Sequence, residues 1–123
     1  MRIAFYAPMK PPDHPVPSGD RHLARLLMTA LRHAGHTPEL ISHFVSRDGT
    51  GNPERQARLK TLGDKLADRL VNQLAARPIE ERPQAWLTYH LYHKAPDWLG
   101  PKIADTFHIP YLVAEASSAP KQA

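Results

Sequence analysis

The sequence predicts an α/β fold: a Rossmann-like three-layer sandwich in which helices cover a parallel sheet of about four strands. Four short apolar runs alternate with three segments whose apolar residues recur at helical spacing. The 13 prolines fall mainly between these segments. Alternation of this kind builds parallel sheets with right-handed crossovers. At 123 residues the chain holds one domain or part of one.

The first strand and the first helix are predicted near the N-terminus. Residues 3–7 form a continuous apolar run, which is typical of a strand buried on both faces. The proline-rich stretch 8–17 is neither a helix nor a central strand, because proline lacks an amide hydrogen and disfavours helical geometry before it. A helix follows, which Ser18 or Asp20 can cap and Gly35 can end. Its apolar residues at helical spacing are Leu23, Leu26, Leu27, Ala30, Leu31 and Ala34.

The same criteria place the remaining elements: a strand at 39–45, a helix from Pro53 to about Ala76, a strand at 85–90, a helix at 98–107 and a strand at 111–114. The leucines of the second helix are assigned to the core, since their irregular spacing of three and four is that of a buried stripe: Leu59, Leu62, Leu66, Leu70 and Leu74. We expect the first and third strands to be neighbours in the sheet.

Composition excludes several classes of function. Without cysteine the chain has no disulfide, thiolate metal site or cysteine nucleophile. It has no apolar run that could cross a bilayer and no signal-peptide pattern at its start, so we expect a cytoplasmic, soluble chain. The net charge of +4 is modest and dispersed, and acidic neighbours balance the one basic cluster. We therefore expect no nucleic-acid partner.

Chemically versatile residues follow three of the predicted strands. The carboxyl ends of parallel strands share one edge, and ligands of open α/β sheets bind there. We therefore expect these residues to converge on one rim: Ser18, Gly19 and Asp20 after the first strand, His90, Tyr92, His93 and Lys94 after the third, and Glu115 and Ser117 after the fourth.

The start of the first helix can bind an anion. Free amides and the helix dipole favour negative charge there, and Gly19 would let a phosphate approach the backbone. The alternative is an ordinary helix cap with no ligand, because the three-glycine nucleotide motif and the Walker pattern are both absent.

The segment after the third strand has two interpretations. In the functional one, His90 hydrogen-bonds a polar ligand and is the candidate catalytic residue, while Lys94 supplies positive charge. In the other, the segment is a solvated loop before a helix. A metal site at His90 and His93 is disfavoured, because zinc needs a third protein ligand and none stands nearby in sequence. Glu115 and Ser117 have the corresponding alternative of a polar turn.

Several short motifs resemble a known family. Residues 1–8, the proline-rich loop, residues 17–20 and the helix that closes at 34–36 resemble the N-terminal start of GT-B glycosyltransferases of family 4. Residues 88–90 and 110–115 resemble the later strands of that family, which end in a histidine and in a Pro-Tyr-hydrophobic-Val-X-Glu pattern.

The resemblance implies an enzyme that moves a hexose from a nucleotide-diphosphate sugar to a hydroxyl acceptor, a glycan or a lipid. Residues 1–123 would form part of its N-terminal, acceptor-side domain, an incomplete GT-B domain lacking the donor-binding C-terminal domain, and we expect no transfer by them alone. Residues 18–20 would lie beside the diphosphate and His90 would face the reacting sugar. Asp20 departs from the family's paired glycines and would oppose a diphosphate unless it points away.

We expect no metal and no cofactor; in the implied chemistry, backbone amides at a helix start can do part of the stabilisation of the departing diphosphate without a metal. The resemblance leaves open a peripheral contact at the inner face of the membrane, and self-association through an uncovered sheet flank. Two other classes remain: a non-catalytic flavodoxin-like module, and a small basic module that binds an anionic ligand or nucleic acid. Binding of oligonucleotides as a function of salt would identify the basic module.

Overall fold

Four parallel strands form the centre of the structure, a computed structural model that describes residues 1–8, 19–46, 52–89 and 96–114, with backbone only at 19–21. The strands are β1 (Arg2–Tyr6), β2 (Thr37–Leu40), β3 (Ala85–Tyr89) and β4 (Tyr111–Ala114). The helices are α1 (Gly19–His33), α2 (Pro53–Ala75) and α3 (Gly100–Phe107), and a 3-10 turn spans Ile79–Glu81. The strand order is β2-β1-β3-β4, and every pair is parallel. The predicted fold class is confirmed, as is the pairing of the first and third strands.

The two central strands bury side chains on both faces of the sheet, which gives the three layers. On one face, Phe5 of β1 and Leu87 of β3 pack against α1. On the other face, Tyr6 and Trp86 pack against α2 and α3, with their rings edge to face at 6.1 Å between centroids. Because both faces are covered, β1 and β3 can be apolar at nearly every position.

The inner side of α1 differs from the prediction. Ala24 and Met28 are buried against the sheet, while Leu23 and Leu26 are each 51% exposed. The small side chain of Ala24 lets the helix lie close to the strands, so the bulkier leucines beside it are turned toward its flank. The helix ends as predicted before Gly35, which has φ of +90°, a conformation that glycine adopts without strain.

The inner side of α2 also relies on small residues. The helix starts at Pro53, and the side chain of Asn52 accepts hydrogen bonds from its first free amides. Gly63 faces Trp98, and a Cβ at Gly63 would lie only 2.6 Å from the Trp98 Cβ. Leu62 is 48% exposed, so its assignment to the core was wrong; Gly63 takes the inward position beside it.

Strand β2 begins at Thr37, before the predicted span 39–45, and ends at Leu40, well before the end of that span. Its ladder with β1 covers Thr37–Leu40. Pro38 is accommodated because β2 is an edge strand, where a missing amide donor is tolerated. Beyond it, the Phe44 amide donates to the Ser42 Oγ at 3.1 Å, a local hydrogen bond that competes with a regular ladder. In the described ranges, no helix combines the length and the apolar character needed to cross a membrane.

Candidate functional site

The strand order places a topological switch point at the carboxyl ends of β1 and β3, where the general rule for open α/β sheets predicts a crevice. From β1 the chain crosses through α1 to β2 on one side, and β3 lies on the other side of β1. Helix α1 covers one face of the sheet, whereas α2 and α3 cover the other. Connections therefore diverge between β1 and β3, and ligands of open α/β sheets bind at such switch points.

The sequence-predicted site residues belong to segments that leave this edge. Gly19 is the first residue of α1, so the helix opens where an anion site was expected. The side chain of Asp20 and seven further residues lie outside the described part of the chain: Ser18, His90, Tyr92, His93, Lys94, Glu115 and Ser117. The described strands end at Tyr89 and Ala114, directly before His90 and Glu115. Convergence of these residues on one rim stays a prediction.

Ser46 connects the ends of two of these segments and itself precedes a third segment, 47–51. Its backbone amide donates to the Pro8 carbonyl at 3.0 Å, and its Oγ donates to the Pro96 carbonyl at 2.6 Å. Pro8 precedes segment 9–18, Ser46 itself precedes segment 47–51, and Pro96 follows segment 90–95. Ser46 is 1% exposed. Sequence analysis missed this residue, because a serine at the start of a turn-forming stretch gives no signal for a contact fifty residues away.

Tyr6 supports the same edge from the end of β1. Its hydroxyl donates to the Phe44 carbonyl at 2.8 Å, which holds the chain that leaves β2 against β1. Burial raises the pKa of the Tyr6 phenol well above its usual range, and the nearby Asp97 carboxylate raises it further. The hydroxyl therefore stays protonated and acts as a hydrogen-bond donor.

Asp97 caps the start of α3. Its Oδ1 accepts hydrogen bonds from the Leu99 amide at 3.0 Å and the Gly100 amide at 2.7 Å. A carboxylate that accepts from the first free amides of a helix is a strong N-terminal cap. Helix α3 accordingly begins at Gly100, two residues later than the predicted start at Trp98.

The other oxygen of Asp97 joins α3 to the sheet. Asp97 Oδ2 accepts hydrogen bonds from the Thr88 Oγ1 and from the Tyr111 hydroxyl at 2.7 Å. Thr88 Oγ1 in turn accepts from the Trp86 Nε1 at 2.8 Å. Burial raises the pKa of the Tyr111 phenol, as does the charge of Asp97. Asp97 therefore accepts at both oxygens, which suits a structural role rather than proton transfer.

Electrostatic pairing among the other described residues is mostly at the surface. On α2, Lys60 pairs with Asp64 at 3.0 Å, and Asp68 pairs with Lys102 of α3. Each of these two pairs places a carboxylate beside a surface lysine. No cluster of three or more potential metal ligands occurs among the described residues.

Family models, curated proteins and solved structures give no match to this chain. The case for a function therefore comes from the switch point between β1 and β3 and from the residues that follow these strands.

Proposed function

We propose that the chain binds the diphosphate of a nucleotide sugar at the switch point, as the acceptor-side domain of a GT-B glycosyltransferase of family 4. One observation carries this proposal: β1 and β3 are adjacent, and the helix that follows β1 opens at their carboxyl edge. Two of the three segments with candidate ligand-binding residues, those that follow β1 and β3, begin beside that switch point.

The opening of α1 supplies the groups that suit a diphosphate. The first amides of a helix lack intrahelical partners and point toward its N-terminus, where the dipole favours negative charge. Gly19, at the first position, offers backbone without a Cβ. The net charge of +4 adds a general attraction for anions.

The reaction in this proposal is transfer of a hexose. The bond between the anomeric carbon and the diphosphate oxygen breaks, the acceptor oxygen bonds to that carbon, and the proton of the acceptor hydroxyl passes to the departing diphosphate or to water. Negative charge develops on the departing diphosphate, and fixed backbone amides stabilise such charge without reorganisation. His90 would hydrogen-bond the sugar, and Lys94 would add a positive charge near the leaving group.

The test is a titration of residues 1–123 with uridine diphosphate, guanosine diphosphate and pyrophosphate, followed by amide resonances and by calorimetry. We expect shifts at Ala7, Gly19 and Tyr89, which border the crevice, and none at Gln84 or Ile109 at the opposite edge. Uridine, which has no phosphate, is the control ligand. Binding confined to the opposite edge, or equal binding of uridine, would contradict the proposal.

A substitution at His90 tests its role in the same site. His90→Ala should weaken binding of the nucleotide sugar much more than it lowers the free energy of unfolding, because a polar group at a strand end contributes mainly when ligand is present. His36→Ala, a change at the opposite end of α1, is the matched control. Equal affinity of His90→Ala and wild type would remove His90 from the site.

The strand order favours a second candidate, a flavodoxin-like binding module. The order β2-β1-β3-β4 is that of the first four strands in the 2-1-3-4-5 arrangement of flavodoxin-like sheets. Such a module would bind a phosphate-bearing ligand at the same switch point without group transfer. Tight binding of flavin mononucleotide together with weak binding of uridine and guanosine diphosphates would favour this candidate.

A further inference from the structure

We propose that Ser46 is a positioning residue, which holds Pro8 and Pro96 at a fixed separation and so preorganises the anion site proposed at the start of α1. The inference rests on the proposed function for the location of the ligand. It goes further in assigning a role to a residue on neither of the two ligand-bearing segments.

The hydrogen bonds of Ser46 reach both sides of the crevice. Its amide holds the Pro8 carbonyl, where the chain leaves β1, at 3.0 Å. Its hydroxyl holds the Pro96 carbonyl, where the chain returns after β3, at 2.6 Å. Pro8 and Pro96 are 88 positions apart in the sequence, and Ser46 donates to both, to Pro8 through its backbone amide and to Pro96 through its side chain. A displacement of either segment end would break one of these bonds.

Burial makes these hydrogen bonds specific. Ser46 is 1% exposed, so water does not readily replace either bond. A buried carbonyl that loses its donor costs free energy, and this cost favours one arrangement of the segment ends over alternatives. Each partner is also anchored by its neighbour: Pro8 by the strand that ends at Tyr6, and Pro96 by the Asp97 cap.

A fixed separation matters for ligand binding because a site that is already ordered loses less conformational entropy when the ligand arrives. Ser46→Ala keeps the amide bond to Pro8 and removes the hydroxyl bond to Pro96. The two sides of the crevice are then uncoupled without deletion of any group proposed to contact the ligand. We expect affinity for pyrophosphate to fall roughly three- to tenfold, the equivalent of one hydrogen bond of ordinary strength.

The experiment compares wild type, Ser46→Ala and Leu74→Val. Leu74 is buried in the core at the C-terminal end of α2, far from the crevice, and its truncation lowers stability by a similar amount through packing. Calorimetry measures affinity for pyrophosphate, and urea denaturation measures stability. Carbonyl carbon resonances of Pro8 and Pro96, detected through the following amides, measure the coupling without ligand.

Weaker pyrophosphate binding by Ser46→Ala, with wild-type affinity in Leu74→Val, supports the inference. Equal affinity of all three proteins overturns it, whatever the carbonyl resonances do. Should wild type fail to bind pyrophosphate, the proposed function fails for this ligand and Ser46 is judged by the resonances alone. Joint displacement of both carbonyl signals in Ser46→Ala then supports the coupling, and displacement of the Pro96 signal alone refutes it.

Discussion

The change Asp97→Asn tests whether the carboxylate between β3 and α3 holds this part of the fold. Both oxygens of Asp97 accept two hydrogen bonds each, two from backbone amides and two from hydroxyls. An amide side chain keeps one oxygen and replaces the other with a donor. If the remaining side-chain oxygen accepts from the backbone amides of the helix start, the new NH2 group faces the hydroxyls of Thr88 and Tyr111. In the wild type both hydroxyls donate to Asp97. If Thr88 reverses and accepts from the new NH2 group as well as from Trp86, its own hydroxyl hydrogen loses the acceptor that Asp97 provides.

The expected loss is about 2–4 kcal/mol. Hydrogen bonds to a charged acceptor contribute about 1.5–3 kcal/mol each and neutral ones about 1 kcal/mol, so two bonds are lost and two are weakened. Rearrangement of the hydroxyls recovers part of that sum. For a domain of this size the midpoint of thermal unfolding should fall by on the order of 10 °C.

Urea denaturation followed by tryptophan fluorescence measures this loss, with a shift in midpoint at constant slope. Asp68→Asn is the control, because Asp68 is an exposed carboxylate paired with Lys102 and such pairs contribute at most about 1 kcal/mol. A free energy of unfolding for Asp97→Asn equal to that of the control would refute the role assigned to the Asp97 carboxylate.

Three further changes probe other contacts. Gly100→Ala should destabilise the fold by about 1–3 kcal/mol in urea, because its Cβ would overlap the Asp97 carboxylate. A variant as stable as the wild type would show that the Asp97 cap can accommodate the Cβ. Hydrogen bonding from Arg77 lowers the pKa of Glu39 below its ordinary value of 4.5. The ionised carboxylate therefore stabilises the fold above pH 4.5, by at most about 1 kcal/mol. This contribution disappears as the pH falls through the lowered pKa. Glu39→Gln should therefore lose less stability than wild type between pH 6 and pH 3, and parallel curves would contradict this. Leu112 of the edge strand β4 is 49% exposed, so wild type should self-associate with concentration in light scattering and Leu112→Lys should not; a wild type that stays monomeric would remove this surface.

The central strands β1 and β3 could be predicted from sequence because their residues are buried on both sides, and the edge strand β4 was also predicted at its observed residues, 111–114. β1 and β3 were found because a continuous apolar run is stable only between two covered faces, and their adjacency follows from a sheet with crossovers on both sides. β2 was misplaced because its span depends on the ladder with β1, and a sequence does not reveal where an edge strand separates from its neighbour. Leu62 was misassigned because a stripe of leucines does not show that Gly63 allows the closer approach.

The residues of the candidate site could be predicted from sequence only in part. The residues that sequence analysis selected, such as His90, attract notice because their types are chemically versatile and follow strands. Ser46 and Asp97 went unselected, because their roles depend on partners that local patterns do not connect. Ser46 reaches Pro96, and Asp97 reaches Tyr111 of β4. Long-range polar contacts of this kind become visible only once the topology has brought the segment ends together.

These contacts also bear on which side of the sheet the proposed diphosphate would occupy. Thr88 and Tyr6 point to the face covered by α2 and α3, where Asp97 and Ser46 fill the carboxyl edge with hydrogen bonds inside the protein. The opposite face carries Ala7 and the start of α1. A diphosphate placed on the α2 side would have to displace buried hydrogen bonds, whereas on the α1 side it would meet the first amides of a helix, which have no intrahelical partners. The network therefore favours entry from the α1 side, the side to which the proposed anion site belongs.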